Sequence, residues 1–131
     1  MQLRRRGAVI VDTKKGILVV SGKKKKFSLP GGGAKKGESR KNAAIRELYE
    51  ETNLKTKEIK FLFKYIGHKW RNHKGNSVRN YTKVFLVNPI GIPKPRNEIK
   101  RIAFWTPKSK IIISEGTRRM LESYKLGLHN S

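Results

Sequence analysis

Apolar residues along this chain fall into short runs broken by basic, glycine-rich or proline-rich turns. From Leu3 to Asp12 a basic segment passes into the run Ala8 to Val11, and the stretch reads as a strand. Thr13 to Gly16 is a turn, and Ile17 to Ser21 is a second strand that closes a hairpin with the first. Gly22 to Lys26, GKKKK, is a basic turn. Ile59 to Lys69 is strand-like, Trp70 to Asn76 is turn-rich, and Val78 to Val87 returns, which predicts a long hairpin. Asn88 to Asn97 holds three prolines and one glycine and reads as a stiff loop. Ile99 to Trp105 is another strand.

Two stretches have helical spacing instead. Ala43, Ala44, Ile45 and Leu48 form one apolar face, and Ser39 stands where an N-cap belongs. Ser114 to Gly127 is the other, with Met120, Leu121 and Tyr124 on one side and basic residues opposite. At 131 residues the chain is read as one domain, residues 1–131, with a modest core.

Charge changes the picture at one place. The chain has nine Asp and Glu against 32 Lys and Arg, yet Glu38, Glu47, Glu50 and Glu51 lie within fourteen positions. The last three fall at i, i+3 and i+4, on one face of a helix. Three like charges on one face repel. A divalent cation turns that repulsion into coordination, and hard oxygen ligands suit Mg²⁺ or Mn²⁺.

The spacing carries more than a cluster. Five residues separate Gly32 from Glu38; seven more lead to Arg46-Glu47-Leu48, then Glu50-Glu51, then Asn53-Leu54. This closely resembles the signature of Nudix hydrolases of the MutT-like kind. One position departs: the final glycine of the signature is Asn53 here. That glycine ends a helix in the left-handed conformation, for which Asn is the next best residue.

The resemblance implies an α/β fold, an α/β/α sandwich with a central mixed sheet and the Nudix loop and helix. It implies Mg²⁺-dependent hydrolysis of a phosphoanhydride, with Glu47, Glu50 and Glu51 as metal ligands and the carbonyl of Gly32 joining them. Arg46 would orient a carboxylate through a salt bridge. Glu98, the one acidic residue between Glu58 and Glu115, is the candidate for a further base or ligand; a salt bridge to Lys100 or Arg101 is the plainer account. The candidate substrate-binding residues are Arg4, Arg6, Lys26, Trp70, Arg71, Arg79 and Tyr81. Each has an ordinary alternative: a solvated basic edge for the arginines, a solvated loop for Lys26, core packing for Trp70 and Tyr81. Phe27 is expected to pack under the glycine turn Gly31 to Gly33.

The formal net charge of +23 admits two explanations. One is coding bias towards Lys, Asn and Ile. The other is a polyanionic partner, either a polyphosphorylated nucleotide or RNA. The sequence therefore supports a second function class, a Nudix-fold RNA- or ribosome-binding protein, or an enzyme acting on an RNA 5′ end. The absence of cysteine excludes disulfides and thiolate chemistry and fits a cytoplasmic setting. No apolar run approaches the roughly 20 residues of a membrane span. A homodimer is compatible with the family, and no patch in the sequence marks an interface.

Overall fold

The computed structural model describes residues 1–127. Its elements in chain order are β1 (Gln2–Ile10), β2 (Asp12–Thr13), β3 (Gly16–Ser21), β4 (Gly31–Gly33), α1 (Arg40–Thr52), β5 (Lys55–Ile66), β6 (Trp70–Arg71), β7 (Ser77–Ile90), β8 (Arg101–Trp105) and α2 (Glu115–Leu126). The larger sheet runs β4-β1-β7-β5, with β6 also on β7, and it is mixed: β1 pairs with β7 in parallel and the other pairs are antiparallel. A second sheet runs β2-β3-β8.

Alternation along the strands divides the apolar residues between two cores. Ala8, Ile10 and Val84 face one way and pack with Ile17, Val19 and Leu121 of α2. Val9, Val11 and Phe85 face the other way and pack with Leu18 and with Ala44 and Leu48 of α1. Both sheets thus lie in one central layer between two helices, the α/β/α sandwich that the resemblance implied. Ala43 and Ala44 let α1 approach closely. A Cβ on Gly7 of β1 would run into the Arg40 carbonyl and the Ala44 backbone.

Two expectations from the sequence need correction. The first hairpin is confined to β2 and β3, paired Asp12 with Ile17 and Thr13 with Gly16. The body of β1 belongs to the other sheet, where β7 and β4 occupy its two edges. Gly31 to Gly33 are not a turn but a short edge strand, with Arg6 opposite Gly33 and Ala8 opposite Gly31. The cause is non-local: these glycines find a free edge on β1. Phe27 is partly buried against the core that contains Leu29.

The caps follow local rules. Ser39 accepts from the Asn42 N–H, and Asn53 ends α1 at φ 66°, in the left-handed region. Ser114 accepts from the Thr117 N–H, and Gly127 ends α2 at φ 66°.

Candidate active site

The C-terminal half of α1 passes over the edge strand of glycines, and this placement makes the site. The glycines add no side chain of their own, so Glu47 and Glu51 reach down from the helix onto bare backbone. A Cβ on Gly32 would coincide with the carboxylate of Glu47. The N–H of Gly31 donates to Glu51 Oε1 at 3.0 Å. The glycines are required for close approach as much as for conformation.

Arg46 organises the outer part of the cluster. Its guanidinium donates to both oxygens of Glu38 (2.9 and 3.0 Å), to Glu47 Oε1 (3.2 Å), to Glu50 Oε1 (3.1 Å) and to the Gly33 carbonyl (3.1 Å). A planar five-donor fork suits several acceptors at once. These hydrogen bonds hold the Glu38 carboxyl down to about 2 and raise the pKa of Arg46.

Glu51 lies deeper and lacks such a partner. Burial pushes its carboxyl up to about 7, and the charges of Glu47 and Glu98 push the same way, against the Gly31 hydrogen bond and Arg6. Burial also raises Glu47, with Arg46 opposing it. Arg6 is pulled down by burial and by Arg4, and held up by Glu47 and Glu51. Glu51 and Arg6 both line a cavity of about 400 Å³ with Ser28, Tyr65, Asn80 and Thr82. A larger cavity of about 650 Å³, near Asp12, Glu58 and Tyr124, is lined by none of the signature residues.

The donor set fits a divalent cation by its chemistry: desolvated, mutually repelling hard oxygens, with a glycine backbone pressed against them. Among the described residues, however, no three acidic side chains already converge on one point. Arg46 holds Glu47 and Glu50 to one side, so these would turn to close on an ion.

The proline-rich loop has a role that the sequence did not reveal. Arg96 N–H donates to the Glu51 carbonyl (3.1 Å) and Lys94 N–H to the Thr52 carbonyl (2.9 Å). Asn97 Nδ2 donates to the Glu50 carbonyl at 2.7 Å. The Arg96 guanidinium reaches Asn53 Oδ1 (3.3 Å) and lies over the Tyr49 ring. The loop therefore satisfies the open C-terminal carbonyls of α1 and supplies the cation its last turn lacks. It also delivers exposed Glu98 to within electrostatic reach of Glu47 and Glu51. Among the described residues Glu98 forms no ion pair with Lys100 or Arg101. A clue was available: α1 ends on Glu50 and Glu51 with no basic residue in its last turn.

The other candidate residues scatter. Arg4 and Trp70 stack at 5.7 Å on the cavity side of the sheet but beyond its rim. Arg71 Nη1 donates to the Gly75 carbonyl within its own hairpin. Lys26 is exposed on its loop. Tyr81 faces α1, where the Arg40 guanidinium sits 4.9 Å from its ring, and Arg79 shares that face. Neighbouring Asn80 and Thr82 point into the cavity instead. Asn80 and Thr82 went unnoticed because the parallel register that sets Arg6 opposite Thr82 joins strands far apart in sequence, and Tyr65 joins them through its antiparallel pairing with Thr82.

Comparison with known proteins agrees with this geometry. The NUDIX domain family matches residues 1–125. A structure assigned to the nudix hydrolase family from Chromobacterium violaceum is 34% identical, with a TM-score of 0.80 over 99% of this chain and 81% of that one. A MutT NUDIX hydrolase from Burkholderia pseudomallei superposes with a TM-score of 0.73 at 19% identity, over 93% of this chain and 98% of that one. An Ap4A hydrolase from C. elegans gives 0.70 at 15% identity, over 98% and 99% of the two chains. Glycine edge strand, carboxylate helix and whole-chain match together place this protein in the Nudix hydrolase family.

Proposed function

We propose that this chain hydrolyses a phosphoanhydride bond in a nucleoside diphosphate linked to another moiety, such as a dinucleoside polyphosphate or a nucleoside triphosphate. The observation that carries the reading is the shared cavity of Glu51 and Arg6, a carboxyl and a guanidinium that line one space. Glu47, Glu50 and Glu51, with the Gly32 carbonyl, would hold Mg²⁺ or Mn²⁺. The bound cation supplies charge neutralisation at the bridging oxygens and a lowered pKa for water.

The chain's own residues do the rest. Arg6 stands where a phosphate would meet it, half-stripped of water and therefore a stronger partner for an anion. Arg46 neutralises Glu47 and Glu50 in the free protein and would release them as they turn towards the ion. Glu51 and Glu98 are the candidates to take a proton from the attacking water. The base end falls to Tyr65 and Asn80. Asn80 Oδ1 is buried without a hydrogen-bond partner, and an amide with an open acceptor suits a donor on a base edge. No helix of the described residues is long and apolar enough to cross a membrane.

The test is nucleotide and phosphate release from dinucleoside polyphosphates, ADP-ribose, nucleoside triphosphates, a diphosphoinositol polyphosphate and capped RNA, with Mg²⁺. Glu51→Gln is expected to keep the fold and lower turnover by roughly 10³-fold or more, several kcal/mol of barrier. Near-wild-type kcat in that variant would remove Glu51 from the reaction. The charge of +23 favours one further reading, in which capped RNA is the turned-over member of the panel.

A further inference from the structure

The face of the larger sheet that α1 leaves uncovered has a composition that the hydrolase reading does not use. Gly7 points at α1, so its partner Lys83 and the alternate residues Arg5, Arg79 and Tyr81 share that side. From β5 come Lys64, paired with Lys83, and Ile66, paired with Tyr81. Arg40 closes the edge by lying over the Tyr81 ring. Five cations therefore meet on one open sheet face. Neither β1 nor β7 carries an acidic residue along its length, and the one carboxylate of β5, Glu58, lies opposite Asn88 at the far end of the ladder.

Two features of this face are costly without a ligand. Lys64 and Lys83 stand directly across from each other, and like charges in that position destabilise a sheet. Arg79 Nε is buried with no acceptor. Apolar groups lie among the charges: Phe61 is 46% exposed and Ile66 51%. Lys83 Nζ is 5.7 Å from the Phe61 ring centroid. A second copy of this chain is a poor occupant, because a two-fold contact would set the cations against themselves.

We propose that this face binds single-stranded nucleic acid, its phosphates along Arg5, Arg79, Lys64 and Lys83 and a base on Phe61. A row of cations tracking a backbone beside an exposed ring is what such a strand requires, and a base stacks on a ring without regard to sequence. A duplex keeps its base faces buried and would use the cations alone. The inference does not depend on the hydrolase reading, because none of these strand residues lines the catalytic cavity.

The experiment is fluorescence anisotropy of a short mixed-sequence single-stranded RNA, in chelator so that no metal-dependent turnover intrudes, titrated over a range of salt. The triple variant Arg5→Gln/Lys64→Gln/Lys83→Gln is expected to weaken binding about tenfold or more and to flatten the log–log salt slope by about 2, three contacts at about 0.7 each. The equally charged control Lys23→Gln/Lys24→Gln/Lys25→Gln should stay within about twofold, since those lysines are on the loop before β4. Phe61→Leu should cost about fivefold or more, and Phe61→Tyr should restore it. The single variant Lys64→Gln, on an exposed side chain, covers the case of a triple variant that fails to fold, with an expected slope change of about 0.7. Equal loss in the loop control would reduce the effect to net charge and overturn the proposal. So would duplex binding as tight as single-strand binding with Phe61→Leu silent, or tighter binding to phosphatidylserine vesicles lost in the same triple variant.

Discussion

The two helices of this protein are of similar length and are capped alike, yet only one of them follows the electrostatic rules of an isolated helix. α2 begins on Glu115 and has Lys125 in its last turn, matched to the positive and negative ends of its dipole. α1 has no acidic residue in its first turn and no basic residue in its last. It ends on Glu50 and Glu51 instead, next to the negative end of the dipole, with Glu47 one turn away. The comparison shows where outside support is spent. Arg46, the Gly31 N–H and the loop around Arg96 all bind to the unfavourable end of α1, whereas α2 draws its charge partners, Arg118 and Arg119, from its own surface.

The most damaging way to break that contrast is to remove Arg46. Its side chain is 23% exposed and bonds three carboxylates and a carbonyl. Arg46→Ala leaves those acceptors facing one another. The expected cost is about 2–3 kcal/mol in chemical denaturation and a further loss of turnover. Arg46→Lys should recover less than half, because an ammonium cannot span the fork. The matching change on α2, Arg119→Ala, breaks an exposed pair with Glu115 and should cost less than about 0.5 kcal/mol. Similar losses in the two variants would mean that α1 needs no special support.

How much of this could be read from the chain follows from the range of each interaction. The helices, the Ser39 cap, the left-handed Asn53 and the Glu47-Glu50-Glu51 face are local, and the spacing made them legible. Arg46 with Glu50 is an i, i+4 pair and equally visible. Partners set by sheet register were not. Arg6 meets Thr82 across a parallel pair, and that register decides that Asn80 enters the cavity while Tyr81 and Arg79 turn away. The loop from Pro93 to Glu98 looked like a connector, because its hydrogen bonds go to the end of a helix more than forty residues earlier.

The second prediction concerns the metal-free protein and sharpens the contrast through pH. Glu51 folds with its carboxyl raised from 4.5 to about 7. Between those values the folded state holds a proton that the unfolded chain has lost, so this group's contribution falls as pH rises through the window. Glu51→Gln should therefore raise the stability of the metal-free protein at pH 8 by about 1–2 kcal/mol, allowing for partial exposure. The gain should vanish towards pH 4, and added Mg²⁺ should stabilise the wild type more than the variant. On α2, Glu115→Gln removes a favourable charge at the helix start and should lower stability slightly at pH 8. A variant at position 51 that is no more stable at pH 8 than at pH 4, relative to wild type, would mean the buried carboxylate carries no strain.

The smallest expected effect lies at the helix ends, where the two caps hold the same conformation with different residues. Gly127 at φ 66° has no side chain to accommodate. Gly127→Ala forces a Cβ into the left-handed region and should cost about 1 kcal/mol. Asn53→Gly relaxes the same backbone conformation, which alone would stabilise. It also deletes the oxygen that accepts from Arg96, and with it one tie between the proline-rich loop and α1. The two effects oppose, so the net change in unfolding free energy should stay within about 0.5 kcal/mol. The lost tie should register in activity, because the loop carries Glu98 towards Glu51. If Asn53→Gly lowers kcat while leaving stability unchanged, the asparagine at the end of α1 serves the loop. If kcat is unchanged as well, Asn53 is only a substitute for glycine, and the anchoring of Glu98 rests on Asn97 and the backbone of Arg96.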